Sequence, residues 1–193
     1  METWVGSLPL LLVLAGPPAS TGAHDLGPMT RLGQTSVQGS PRVRGSGPVV
    51  ARAIEDAQGQ SPTFQQLVAT ISSTDGIVYV HHDRCGRNVL ACLVLRVTQA
   101  GPNRILHIRV DTRRTGVDLM VSIGHELQHA VEVLREPAVV DTHSIRLFYE
   151  RLAPTNRHSF ETEAAIEAEL KVDGELRAWR KQIYAVTMAR DPM

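Results

Sequence analysis

Residues 125–129 read His-Glu-Leu-Gln-His, a stretch that restricts what the rest of the chain can be. Two histidines four apart share a face on a helix, where both imidazoles can reach one metal ion. Glu126, beside them, is placed to take a proton from a water at that ion. Leu119, Ile123, Leu127, Ala130, Val131 and Leu134 put one side of this helix in the interior. Buried histidine and glutamate are costly without partners. The fold must therefore provide a helix here, a further ligand and access for water. The competing reading is a pair of histidines satisfied without metal.

Apolar periodicity begins after Thr115, with Thr115 or Asp118 as cap, and Pro137 ends it, predicting a helix of about sixteen residues. Upstream, Phe64, Leu67, Val68 and Ile71 follow Ser61-Pro62-Thr63 at helical spacing. The Asp75-Gly76 turn leads into a β-branched run over 77–80, and the stretches 89–97 and 105–110 read as two more strands. Short links carrying Gly, Asn or Pro favour antiparallel pairing, because parallel crossovers need a dozen residues or more. Downstream, Asp141 caps a helix with Ile145, Leu147, Phe148 and Leu152 as its apolar positions, broken at Pro154-Thr155-Asn156. A last helix runs from near Ser159 to Val172, and Gly174 interrupts or bends it before Leu176, Trp179, Ile183 and Val186 resume the spacing. The expectation is an α+β domain over 61–190, a small antiparallel or mixed sheet followed by the motif helix and C-terminal helices. Aromatic residues are only 4% of the chain, so Val, Leu, Ile and Ala must fill its core.

Residues 24–60 are rich in Gly, Ser, Pro, Gln and Arg and read as a flexible linker or arm. The apolar run from Leu8 to Ala15 is too short for a bilayer but fits the central part of a signal peptide over 1–23, although Glu2 and no base precedes it. An exported, secreted or periplasmic protein follows from that reading, a cytoplasmic one if the run is not a signal. Cys85 and Cys92 fit either one disulfide of an exported protein or two thiols, with Cys92 as ordinary core. Twenty basic and twenty acidic side chains cancel, so no global field favours nucleic acid or an anionic membrane. No other segment is expected to cross a membrane.

Two histidines and a carboxylate point to Zn2+. One zinc class takes its third ligand six residues after the second histidine with a glycine between, and Glu132 and Arg135 occupy those places here. Phe160-Glu161-Thr162-Glu163-Ala164-Ala165-Ile166-Glu167-Ala168-Glu169 offers four carboxylates instead. Ala164, Ala165 and Ala168 would let the side bearing Glu161 approach the motif helix closely, making Glu161 the expected ligand, with Glu163 and Glu132 as rivals. Glu132 shares the face of His125 and His129, where it suits either a hydrogen bond from a ligating imidazole or an ion pair with Arg135. Glu163, Glu167 and Glu169 are expected to face solvent, Glu167 beside Lys171.

The two segments together, His125 to His129 and Phe160 to Ala165, resemble gluzincin-type zinc metallopeptidases. The likeness is to the branch of the prenyl-protein and heat-shock peptidases and to small bacterial metallopeptidases, and it covers residues 116–170. It implies His125, His129 and Glu161 on zinc, water as fourth ligand, Glu126 as general base, and an edge strand that pairs with a peptide or protein substrate. The chain departs from the branch at Ala165, where Asp is common, and lacks the membrane helices of its best-known members. Two other functions are consistent with the same residues: a catalytically inactive zinc protein that binds peptide or a partner, and a metal-dependent hydrolase of a non-peptide amide or ester. Tyr149 and His158 are the expected oxyanion donors, ahead of His143 and Arg157, with core, cap or surface roles as alternatives.

Overall fold

A computed structural model describes residues 40–86, 89–152 and 160–190. Strand β1 (Val43–Gly45) leads into α1 (Pro48–Gln60) and α2 (Pro62–Ser72), then β2 (Gly76–His82). Strands β3 (Ala91–Leu93), β4 (Thr98–Ala100) and β5 (Asn103–Val110) complete the sheet. Helices α3 (Val117–Arg135), α4 (Thr142–Leu152) and α5 (Glu163–Arg190) follow. Small sheet and helices make an α+β fold.

The sheet order is β1-β2-β5-β3, with β4 also on β5. β1 and β5 run parallel to β2, whereas β3 and β4 run antiparallel to β5. The sheet is therefore mixed, and the preference for antiparallel pairing is corrected. One cause is β1, which lies inside the segment expected to be a linker, and the other is the β2–β5 pair, parallel over seven residues. With β1 present, α1 and α2 form the long crossover that a parallel β1–β2 pair requires. Between β2 and β5 the chain makes its excursion through β3 and β4 instead of a helix.

The expected linker over 24–60 is thus overturned for residues 43–60. Val43, Val50, Ile54 and Ala57 enter the core, so β1 and α1 are part of the domain. The expectations for residues 1–23 and 24–39 lie outside the described residues. The Ser61 hydroxyl caps α2 by accepting from Phe64 N at 3.0 Å. It also donates to Glu175 of α5 at 2.5 Å, and Thr63 donates to the same carboxylate, so one side chain ties α5 to the start of α2.

One face of the sheet carries Val78, Val80, Leu106 and Ile108, all fully buried against the helices. Helix α3 crosses that layer with Ile123, Leu127, Ala130 and Val133 inward. A β-carbon at Gly124 would lie 3.2 Å from Val172 and 3.4 Å from Phe64, so glycine permits α5 to lie close to α3 one residue before the motif. Helix α5 runs through Gly174 without a break, correcting the expected interruption. A lone helical glycine costs about 1 kcal/mol, and Val172 and Leu176, both fully buried on either side of it, offset that cost.

At the other end of α3, the buried Arg104 of β5 closes the helix. Its guanidinium donates to the carbonyls of Val133, Leu134, Glu136 and Val139, and pairs with Asp75. The Val133 and Glu136 carbonyls also accept from Glu136 N and Val139 N, and Arg104 adds the donor for Leu134 and Val139, so one arginine completes the C-cap. No helix among the described residues is long and apolar enough to cross a membrane.

Candidate metal centre

His125, Glu126 and His129 lie near the middle of α3, which is 19 residues long, and all three are buried. Glu161 comes from the segment just before α5. The Thr162 hydroxyl accepts from Ala165 N at 3.1 Å, which makes Thr162 the cap of α5 and leaves Glu161 outside the helix. The expected start near Ser159 is corrected accordingly. Glu161 Oε2 stands 3.1 Å from His125 Nε2. One ligand atom from each of His125, His129 and Glu161 lies within 4.8 Å of the others.

Each histidine is held from behind. His125 Nδ1 lies 3.0 Å from Glu169 Oε2, and His129 Nδ1 lies 3.0 Å from Glu132 Oε2. A neutral ring that donates from Nδ1 to its carboxylate leaves the Nε2 lone pair free for an ion, the state a metal requires. Glu132 is fixed in turn by the Thr162 hydroxyl at 2.6 Å, so the residue after Glu161 braces the support of His129. Of its two readings, Glu132 takes the imidazole rather than Arg135.

Glu169 is exposed, as expected, yet its carboxylate also reaches His125. Ala165, Ala168, Val172 and Leu176 bury one side of α5 against the domain, and Glu169 stands at the rim of that side, one turn beyond Ala165. Ala165 itself is fully buried. The carboxylate behind His125 thus comes from Glu169, four residues after Ala165. Glu167 does pair with Lys171, at 2.7 Å. The i, i+4 rule identifies that pair but gives no sign of a contact that depends on the angle between α5 and α3.

Glu126 Oε2 accepts from Leu93 N of β3 at 2.6 Å. Burial raises the pKa of Glu126 above its ordinary value, against the pull of His129, His125 and the Leu93 hydrogen bond. Burial alone would lower His129, but the Glu132 hydrogen bond and the charges of Glu126, Glu132 and Glu161 raise it. For Glu132 the hydrogen bonds of His129 and Thr162 outweigh burial and lower its pKa.

Tyr149 is not free to serve a substrate oxygen. It is buried behind His129, edge-on to its ring, and its hydroxyl donates to the His129 carbonyl at 3.2 Å. His143 is exposed on α4, while Arg157 and His158 lie outside the described residues.

A cleft of about 240 Å3 opens on the centre. Val89, Ala91, Leu93 and Leu95 line it from the β3 segment, Tyr149 from α4 and Phe160 from before α5, with Glu126, His129 and Glu161 among them. Cys92 of β3 is bonded to Cys85, which settles the two cysteine readings for the disulfide. The larger clefts of the molecule lie elsewhere, one of them at the C-terminal end of α3 around Arg104.

The donor set suits zinc: two neutral imidazoles, one carboxylate, and carboxylates behind both rings. Compared with family models, curated proteins and solved structures, the chain matches none of them.

Proposed function

We propose that the protein is a zinc-dependent peptidase of the gluzincin kind, with His125, His129 and Glu161 as ligands and Glu126 as general base. The observation that supports this best is the placement of Glu126. It is a buried carboxylate beside three convergent ligand atoms, and it faces a cleft walled by the edge strand β3. A purely structural zinc site gives no reason to bury a fourth carboxylate there, since structural sites are closed by their ligands.

Zinc at this centre would lower the pKa of a bound water and polarise a carbonyl. The remaining work falls to the chain. The N–H of Leu93 orients Glu126 and offsets part of the cost of burying it. Glu126 takes the proton of the attacking water and passes it to the departing amine. Glu132 and Glu169 hold the two rings so that Nε2 of each faces the ion. β3 offers main-chain groups to an extended chain, as edge strands do. With the Cys85–Cys92 bond, the apolar run at Leu8 to Ala15 supports placing the protein in an oxidising, exported compartment.

The test compares zinc-loaded protein with its Glu126→Gln variant on a diverse peptide library. Cleavage should fall by roughly a hundredfold to ten-thousandfold or more, while zinc content is unchanged. Zinc retained with no cleavage by either protein would sink the peptidase and leave a zinc-bearing peptide-binding protein.

A further inference from the structure

The cleft beside the metal centre is small and its wall is sorted by chemistry. Its volume of about 240 Å3 is below the roughly 300–1,000 Å3 of sites that enclose a whole small ligand. It suits one side chain of a longer molecule. The side chains of Ala91 and Leu93 point to the helix side of the sheet, as do their partners Val110 and Ile108. Leu95 and Phe160 are half-buried, and Val89 is exposed at 47%. Glutamates and His129 are the polar side chains of the lining, and the rest of it is apolar.

The main chain of β3 fixes how a ligand would lie. Leu90 O accepts from Asp111 N and Val94 N donates to His107 O, so the even-numbered residues of this segment face β5. By the alternation of an antiparallel ladder, the N–H and C=O groups of Ala91 and Leu93 face away from it. The contact of Leu93 N with Glu126 has that direction. With Leu93 N–H bonded to Glu126, an extended chain would pair with the N–H and C=O of Ala91 and the C=O of Leu93, and would alternate its side chains between solvent and the apolar cleft.

We propose that the substrate is an extended peptide segment carrying an aliphatic or aromatic side chain, which enters the cleft between Leu95, Tyr149 and Phe160, with Val89 at its rim. This rests on the peptidase reading for its chemistry, but the choice of side chain is a binding property and is measured separately. Burying such a side chain removes apolar surface from water on both partners, whereas a charged one would meet a cleft whose carboxylates are already committed.

The test uses zinc-loaded Glu126→Gln protein and fluorescein-labelled peptides that differ at one central position. Peptides with Leu or Phe there should bind about tenfold or more tightly than those with Asp or Gly. Val89→Asp, an exposed change, should remove most of that preference, and Leu95→Ala should move it toward the larger ring. Equal affinity for all four peptides, no measurable binding, or a preference unmoved by both variants overturns the inference. The same peptides offered to protein with Glu126 intact keep the two readings apart. Preference without cleavage rejects the peptidase alone, and cleavage without preference rejects the cleft assignment alone.

Discussion

At the scale of single residues, the centre separates atoms that could hold an ion from atoms that hold those side chains in place. Glu132→Ala and Glu169→Ala should each weaken zinc binding by roughly 10–100-fold, read by competition with a chromophoric chelator. Unchanged affinity in both would mean that the rings are oriented by their surroundings alone. His125, His129 and Glu126 were legible in the sequence because helical periodicity is local and the surrounding apolar residues fix the helix. Glu161 was legible by a weaker sign, the alanines that let its segment approach. Glu169 was not, since a half-exposed glutamate on a long helix looks like any solvated one. Its role depends on the angle at which α3 and α5 cross, which Gly124 and the alanines permit but do not fix.

At the scale of elements, the same limit explains both the sheet and the first helix. α1 buries Val50, Ile54 and Ala57 between Arg52, Glu55, Asp56 and Gln58, so its apolar stripe is thin and one of its three residues is an alanine. Such a stripe is hard to tell from a polar arm, and with it went β1 and its parallel pairing with β2. The third expected strand agrees with β5, while the expected strand over 89–97 gives way to β3, because Val97 turns inward between β3 and β4. The end of α3 depends on Arg104 in the same non-local way. Arg104→Met should destabilise the domain by on the order of 3 kcal/mol, since the Leu134 and Val139 carbonyls lose the arginine donor and Asp75 its partner, and denaturant melts will measure it. The Arg104 hydrogen bonds hold Asp75 below its ordinary pKa. A carboxyl whose folded value lies below its unfolded one stabilises fully above about pH 4 and loses that contribution as pH falls through the folded value. Asp75→Asn should therefore reduce stability at neutral pH and flatten its decline in acid. An unaltered acid limb would show that this pair does not govern it.

At the scale of the whole molecule, α3 and the segment that opens α5 bring Glu126, Glu132, Glu161 and Glu169 around two histidines. Without a cation this is a concentration of negative charge on a buried helix, so the ion is expected to act on the fold as well as on chemistry. Zinc at a hundredfold excess over its dissociation constant adds about 2.7 kcal/mol, or a rise in Tm of roughly 5–10 °C for a chain of this size. Calorimetry with zinc and then with a chelator will register it, and superimposable melts would argue against a metal site. The Cys85–Cys92 bond acts on a different part of the same centre. It ties the approach to β3 to the strand itself, on the side where a ligand would lie, whereas the ligands stand on α3 and before α5. The two sides of the cleft are thus held by unrelated means, one by hydrogen bonds around the candidate ligands and the other by a disulfide. Reduction of that bond would release the covalent tether of the β3 wall while leaving the hydrogen bonds behind both histidines untouched.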